Sequence, residues 1–387
     1  MRDKARLRTV FALVAVLALV AAACGDDDAD TTTTVAATTA TTSAPATTAA
    51  PATTAAPATT SAPQPEFADF NGDGKVVIGV ATDGPRDDGA YYQALVERIE
   101  EISAANGFET PIVVDMIDPA NADAELEALA QQGVDMIAVG SSAIAEGLPD
   151  LALEYAEIFW YCNCGSGSPA AEGILKSEDR GAELWLSGGY AAGLLLQESG
   201  GDSAVFLGCC DLNFEVESYN AFVLGLSMVD ESYTATYVPT GNFPFDFNNT
   251  AGATEAFLNA LAEGADIVVP FLGGAHEPIV QLANEEGLIV MTAGSSSGCE
   301  RDDLAYDFEV KFDGGDYVAP IFDDILNGVA EEGGIREFHV GIDDVVGAEF
   351  CGATDDQVAM LDAFNAQIGA GDFGDQIFAI VADAYGF

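Results

Sequence analysis

Three aspartates, Asp83, Asp87 and Asp88, crowd the stretch ATDGPRDDGAYYQALVERIEE directly ahead of Tyr91 and Tyr92. Carboxylates placed there can accept the paired hydroxyls of a sugar-like diol, and the tyrosines offer flat faces for a ring. They can equally serve structure, since Asp87 or Asp88 would bond first-turn amides and favour a helix dipole. Other stretches also carry chemistry-bearing residues. DFNGDG, from Asp69 to Gly74, copies the first half of a calcium loop, but the twelfth position is Val80 where a bidentate glutamate is needed, so no metal is expected. GSSSG, from Gly294 to Gly298, fits G-x-S-x-G with Ser296 as nucleophile. The following CERDDLAYDFE makes a poor helix, His276 precedes the serine, and His339 lies in a strand-like setting, so no catalytic residue is expected. Phe243, Phe245 and Phe247 alternate in GNFPFDFNN, which would bury all three on a strand edge or leave one to stack on a ligand.

Composition narrows the classes. The formal net charge is −52. Such a field repels nucleic acid and anionic membranes and disfavours phosphorylated ligands, so a neutral ligand is expected and no nucleic-acid partner. Arg2, Lys4, Arg6 and Arg8 precede TVFALVAVLALVAAA and Cys24, the n-region, h-region and small-residue end of a signal peptide. AAAC resembles a lipobox in which Cys24 takes a lipid and becomes the mature N-terminus; the alternative is an ordinary signal with an incidental cysteine. Lipidation would hold the protein on the outer face of the cell membrane through that anchor alone. Residues 31–65 are almost entirely Thr, Ala, Pro and Ser and read as an extended tether. The remaining cysteines, Cys162, Cys164, Cys209, Cys210, Cys299 and Cys351, form an even set outside the cytoplasm and are expected as disulfides of undetermined pairing. Neither C-x-C nor C-C has a zinc rhythm, and no cofactor is expected.

The elements that must position these residues alternate strictly. KVVIGVAT, TPIVVDMI, VDMIAVGS and IFWYCNCG read as strands, with helices in AYYQALVERIEEISAANG, ADAELEALAQQG and AEGLPDLALEYAE between them. The pattern restarts with a helix in SEDRGAELWLSGGYAAGLLLQESG, followed by the strands DSAVFLGCC, YTATYVPTG, ADIVVPFLGG and LIVMTAG with helices between. Strand and helix in alternation argue an α/β fold with parallel sheets covered on both faces. Two such halves facing each other would line a cleft with the loops at the carboxyl ends of their strands, which hold much of the Gly, Ser, Asn and aromatic content.

From Lys75 onward the chain resembles the basic membrane protein family of lipid-anchored substrate-binding proteins, whose better-understood members resemble purine-nucleoside receptors of ABC importers. DDGAYYQA is similar to the family's D-x-S-F-N-Q-x-A motif, LWLSGGYAAGLLL to its F-L-A-G-Y-A-A helix, GADIVVPFLGG to its G-x-D-V-I-F-x-A-A-G-G strand and loop, and FEVK to its S-x-x-K. The chain departs from the family at Tyr92, where the motif has asparagine, and at Asn163 and Gly294, where aspartates are normal. The resemblance implies a type I periplasmic binding protein with two Rossmann-like lobes, three hinge crossings and a ligand cleft. It implies lobes over 67–165 plus 306–338 and over 166–305 plus 339–387, behind a signal at 1–23 and a linker at 24–66.

On that resemblance Tyr91 and Phe247 would sandwich a ring, Asp88, Asn163 and Lys311 would hydrogen-bond its polar edge, and Tyr92, Gly273 and Gly274 would complete the ligand-binding set. The protein would act as a monomer that delivers a nucleoside-like small molecule to an ABC transporter permease, with no chemistry done on it. A sugar or other polar metabolite as ligand, and a signalling receptor in place of the permease, remain open.

Overall fold

A computed structural model describes residues 68–165, 170–243 and 245–387. The expected signal peptide, Cys24 and the whole of the expected tether lie outside the described residues. In chain order the elements are β1 (Ile78–Ala81), α1 (Tyr91–Asn106), β2 (Ile112–Val114), α2 (Ala122–Ala130), β3 (Met136–Val139), α3 (Leu148–Glu154), β4 (Phe159–Asn163) and β5 (Ile174–Asp179). There follow α4 (Gly181–Ser199), β6 (Ser203–Gly208), α5 (Asn213–Val229), β7 (Thr234–Pro239), α6 (Thr250–Glu263), β8 (Ile267–Pro270), α7 (His276–Glu286), β9 (Ile289–Ala293) and β10 (Phe308–Lys311). The chain closes with α8 (Gly314–Leu326), β11 (Ile335–Phe338), β12 (Gly347–Phe350), α9 (Asp355–Gly369) and α10 (Gly374–Tyr385). Strands β1, β3, β4 and β8 are buried along their whole length, which is why they are apolar runs with no polar alternation.

The strands form two sheets, ordered β11-β5-β4-β3-β1-β2 and β12-β10-β9-β8-β6-β7. Position for position the two orders match, and every pairing is parallel except β10 with β12. Two mostly parallel sheets with helices on their faces are the α/β architecture that the alternation dictates. The chain changes sheet after β5, after β10 and after β11, which makes the three crossings.

Strand pairing moves two of the expected lobe boundaries. Ile174–Asp179, assigned to the second lobe by a break at 165, pairs with β4 in the first sheet. Phe308–Lys311, assigned to the first lobe by a break at 305, pairs with β9 in the second. The physical reason is that β5 ends in Lys176, Ser177, Glu178 and Asp179, which read as the polar start of the next helix, and that β10 carries no mark of which sheet receives it.

Side chains tie the crossings together. Tyr317 in α8 donates to Asp179 Oδ2 at 3.2 Å and stacks on Phe338 with 4.7 Å between ring centroids, so groups from all three crossings meet. Glu183 in the first turn of α4 faces His339 Nδ1 at 3.3 Å and accepts from the Val340 amide at 3.2 Å. Asp313, at the start of α8, accepts from the amides of Gly315 at 2.7 Å and Asp316 at 3.2 Å, and also from Ser296 of the second lobe at 3.2 Å.

Among the described residues all six cysteines pair, Cys162 with Cys164, Cys209 with Cys210 and Cys299 with Cys351. The calcium-like loop is a turn in which one oxygen of each side chain bonds the loop's own backbone: Asp69 accepts from Gly74 at 3.0 Å, Asn71 from Asp73 at 3.0 Å and Asp73 from Lys75 at 2.9 Å.

Candidate ligand-binding cleft

A cavity of about 220 Å³ opens between the lobes, lined by the loops that follow the strands of both sheets. Asp88 lies on its wall and is itself 6% exposed. Its Oδ1 accepts from the amides of Ala90 and Gln93, both at 3.0 Å, while Oδ2 keeps only a 3.5 Å contact from the Tyr92 amide. One oxygen therefore serves the start of α1, as the structural reading expects, while the other carries only that long contact on the cavity wall. Burial pushes the Asp88 carboxyl above its usual range, against the pull of those amides. Asp87 is exposed.

The first residues of α1 fill the cavity floor. Tyr91 donates its hydroxyl to the Asn163 carbonyl at 3.4 Å and faces Phe312 at 6.4 Å between centroids. Tyr92 donates to Asp83 at 2.5 Å, and its ring occupies the space a side chain at Gly84 would need. Asn163, buried at the end of β4, accepts from Ser177 Oγ at 2.8 Å and reaches the Gly314 carbonyl at 3.5 Å. Its flanking cysteines are bonded to each other, which holds this carbonyl and amide in place.

The opposite wall comes from the second lobe. Phe245 and Phe247 line the cavity, whereas Phe243 is 75% exposed, so the alternating phenylalanines stand on a turn and not on a strand edge. The Phe247 ring lies nearly parallel to Phe214, 6.3 Å away, and its carbonyl accepts from Gly273 at 3.2 Å. Beneath these rings the bonded Cys209 and Cys210 are held by Glu215, whose carboxylate accepts from the amides of Cys209, Cys210 and Leu212. Gly273 lines the cavity and Gly274 stands beside it, donating to Asn248 Oδ1 at 2.7 Å.

The structure brings Asp88, Tyr91, Tyr92, Asn163, Phe247 and Gly273 to one cavity. It does not bring Lys311, whose ammonium bonds the Asp344 carbonyl at 2.8 Å and, on the adjacent strand β12, Glu349 at 3.0 Å. Gly294, the other departure from the family motif, has φ 84°, and a Cβ there would stand 3.3 Å from Tyr91 Cβ. Tyrosine and glycine at these positions are thus a packed pair. Ser296 gives only its amide, to Asp313, while His276 bonds the Pro270 carbonyl and His339 faces Glu183, so no serine–histidine pair forms among the described residues.

Sequence reading missed Trp185, Phe214, Phe271 and Phe312, which line the cavity, and two carboxyls, Asp179 and Glu217. Phe271 directly before Leu272-Gly273-Gly274 was the most readable of them, because a large ring next to a glycine loop at a strand end marks a cleft wall.

Burial pushes Asp179 up to about 6 and Glu217 to about 7. Asp313 at the second crossing is likewise raised to about 6, by burial and by Asp316. Groups raised in the folded state bind more protons there than when unfolded, so their contribution is full below their unfolded values near 4 and is lost as pH rises through about 6 to 7. The ligand-free protein should therefore melt at a higher temperature at pH 5 than at pH 7.5. Glu217→Gln should flatten that slope in differential scanning calorimetry; an unchanged slope would remove Glu217 from the account.

Comparison with known proteins agrees with this geometry. The family described as ABC transporter substrate-binding protein PnrA-like matches residues 75–303. Among solved structures, a solute-binding protein of an ABC transporter system from Conexibacter woesei is similar at 17% identity and TM-score 0.58, covering 77% of this chain and 97% of that one. One from Aeropyrum pernix K1 is similar at 16% identity and TM-score 0.59, covering 80% and 85%. A transcriptional activator of the comK gene from Bacillus halodurans is similar at 18% identity and TM-score 0.59, covering 75% and 96%. No curated protein matches. At these identities the solved structures speak to the fold, which is that of type I periplasmic binding proteins.

Proposed function

Since this chain belongs to the PnrA-like family of ABC transporter substrate-binding proteins, we propose that its cleft captures a ring-bearing, nucleoside-like small molecule outside the cytoplasm and presents it to the permease of an importer. The observation that carries this reading is the aromatic cavity between two lobes, with Tyr91 on one wall and Phe247 on the other. A flat ring entering there stacks between faces contributed by both lobes, and contacts made by both lobes exist only when the lobes are together. Binding then shifts the population toward closure. Asp88 Oδ2 accepts a donor from the ligand's polar edge, and Asn163 fixes the hydroxyl of Tyr91. Lys311 has no part in it. An anchor at Cys24, where a lipid would tether a monomeric lobe pair to the membrane, completes the arrangement.

The PnrA-like family is one of solute-binding proteins of ABC transporters, and among the described residues of the cleft no nucleophile is paired with a base. The similarity to a protein described as a transcriptional activator leaves the fold compatible with sensing as well as delivery. Calorimetric titration of residues 66–387 with adenosine, inosine, guanosine and a pentose tests the ligand class. Tyr91→Ala and Phe247→Ala should each weaken nucleoside binding about tenfold, the worth of one stacked face. Pentose binding with no nucleoside binding would replace this reading with a sugar receptor.

A further inference from the structure

Beyond its rings, the cavity has a charge pattern that a neutral ligand leaves unexplained. Three carboxyls line it: Asp88 ahead of α1, Asp179 at the end of β5 and Glu217 in α5. They approach from both lobes and from the first crossing. Among the described residues no lysine or arginine lines the cavity, and none lies within ion-pair distance of these three. Their hydrogen-bond donors are backbone amides and phenols: Ala90 and Gln93 for Asp88, Tyr317 for Asp179, and the Ala182 amide at 2.7 Å for Glu217. The nearby basic groups are engaged elsewhere, Lys176 with Glu178 at 3.0 Å and Arg180 with Glu337 at 3.3 Å. Buried carboxyls without a countercharge are costly, and a cation arriving among them recovers that cost. Eight aromatic side chains share the same walls, and ring faces attract cations as well as flat rings.

Resting on the reading of the cleft as a ring-binding site, we propose that its ligand carries a positive charge, a protonated amine or a quaternised ring nitrogen, seated among the aromatic faces with Asp88, Asp179 and Glu217 around it. The net charge of −52 then acts in the same direction, drawing cations toward the cleft mouth. The groups that face these carboxyls are Lys176, Glu178, Tyr91 and Tyr317 around Asp179, Arg180, Asp179 and Tyr385 around Glu217, and the start of α1 around Asp88. None of them supplies a fixed positive charge in contact with the cavity.

Matched probes isolate the charge. 1-Methyladenosine is cationic at neutral pH and adenosine is not, with the same sugar and nearly the same ring; tryptamine and indole-3-ethanol form a second such pair. In calorimetric titration of wild-type protein at pH 7.5 the cationic member of a pair should bind about tenfold tighter or more. That preference should shrink at pH 5, where Asp179 and Glu217 hold protons. Glu217→Gln and Asp179→Asn, checked for cooperative melting, should narrow it as well. Adenosine binding as tightly as 1-methyladenosine at both pH values would overturn the charge inference and leave the ring-binding reading standing. Silence from all four probes would remove the ring-binding reading and this inference with it. The wild-type pH comparison decides the matter even where a variant fails to fold.

Discussion

Gly189→Ala should lower the stability of the folded region by at least about 3 kcal/mol, the upper end for overpacking, and its thermal midpoint by about 5–10 °C. Gly189 lies in α4 where that helix meets α5, and a Cβ placed on it would stand 2.0 Å from the Phe222 carbonyl oxygen. The partner position is equally tight, since a Cβ on Gly225 would stand 2.3 Å from the Leu186 carbonyl oxygen. The two backbones touch through glycines, so no rotamer change relieves an added methyl and the helices must separate. Separation would also disturb the second lobe's core around Trp185, Phe206 and Phe222, which is continuous with the cleft wall. Helix content by circular dichroism should persist at low temperature while the transition moves down. A midpoint within a degree of wild type would mean that the helices part at no cost, contrary to this packing.

The second large effect is expected at the cleft. Gly294→Asp restores the aspartate that the family motif carries, and on resemblance alone it should improve binding. Geometry predicts the opposite, a loss of about 30- to 100-fold in affinity for whichever probe binds wild type. The backbone at Gly294 has φ 84°, a conformation that costs a residue with a Cβ about 1–2 kcal/mol in either lobe arrangement. The new Cβ would then meet Tyr91 of the other lobe, 3.3 Å away, so the remainder of the cost falls on closure and appears as affinity. Tyr91→Phe in the same background should not rescue binding, whereas Tyr91→Ala, which clears space, should lessen the closure penalty while losing the stacking face. Improved binding in Gly294→Asp would show that the loop re-forms and that the family geometry returns with its residue.

How far the sequence spoke depends on which residues are asked. The alternation of apolar runs and helical patterns was sufficient for two α/β halves, because parallel strands buried on both faces must be apolar throughout. Asp88 and Tyr91 were legible because a loop before a helix start is a place where side chains meet ligands, and Phe247 because of its setting in GNFPFDFNN. Asp179 and Glu217 were not legible. Each looks like an ordinary polar residue of a strand end or a helix, and only the crossing after β5, with α5 packed beside α4, turns them inward. Trp185 and Phe312 were hidden for the same reason, as core residues by pattern that the lobe arrangement leaves at the cavity edge. Lys311 is the converse case: a matched motif position whose partners, Asp344 ahead of β12 and Glu349 within it, draw its ammonium away.

Each wall of the cleft rests on a pair of oxidised thiols, Cys162 with Cys164 behind Asn163 and Cys209 with Cys210 beneath Phe245 and Phe247. The route by which the protein is made therefore matters more for its cleft than for its sheets. A preparation from a reducing cytosol would keep the two parallel sheets, whose strands contain little of this sulfur chemistry, yet deliver walls whose short covalent clasps are open. Inactive material of that kind would look well folded by every bulk measure, and a search for the cargo should begin with protein matured in an oxidising compartment.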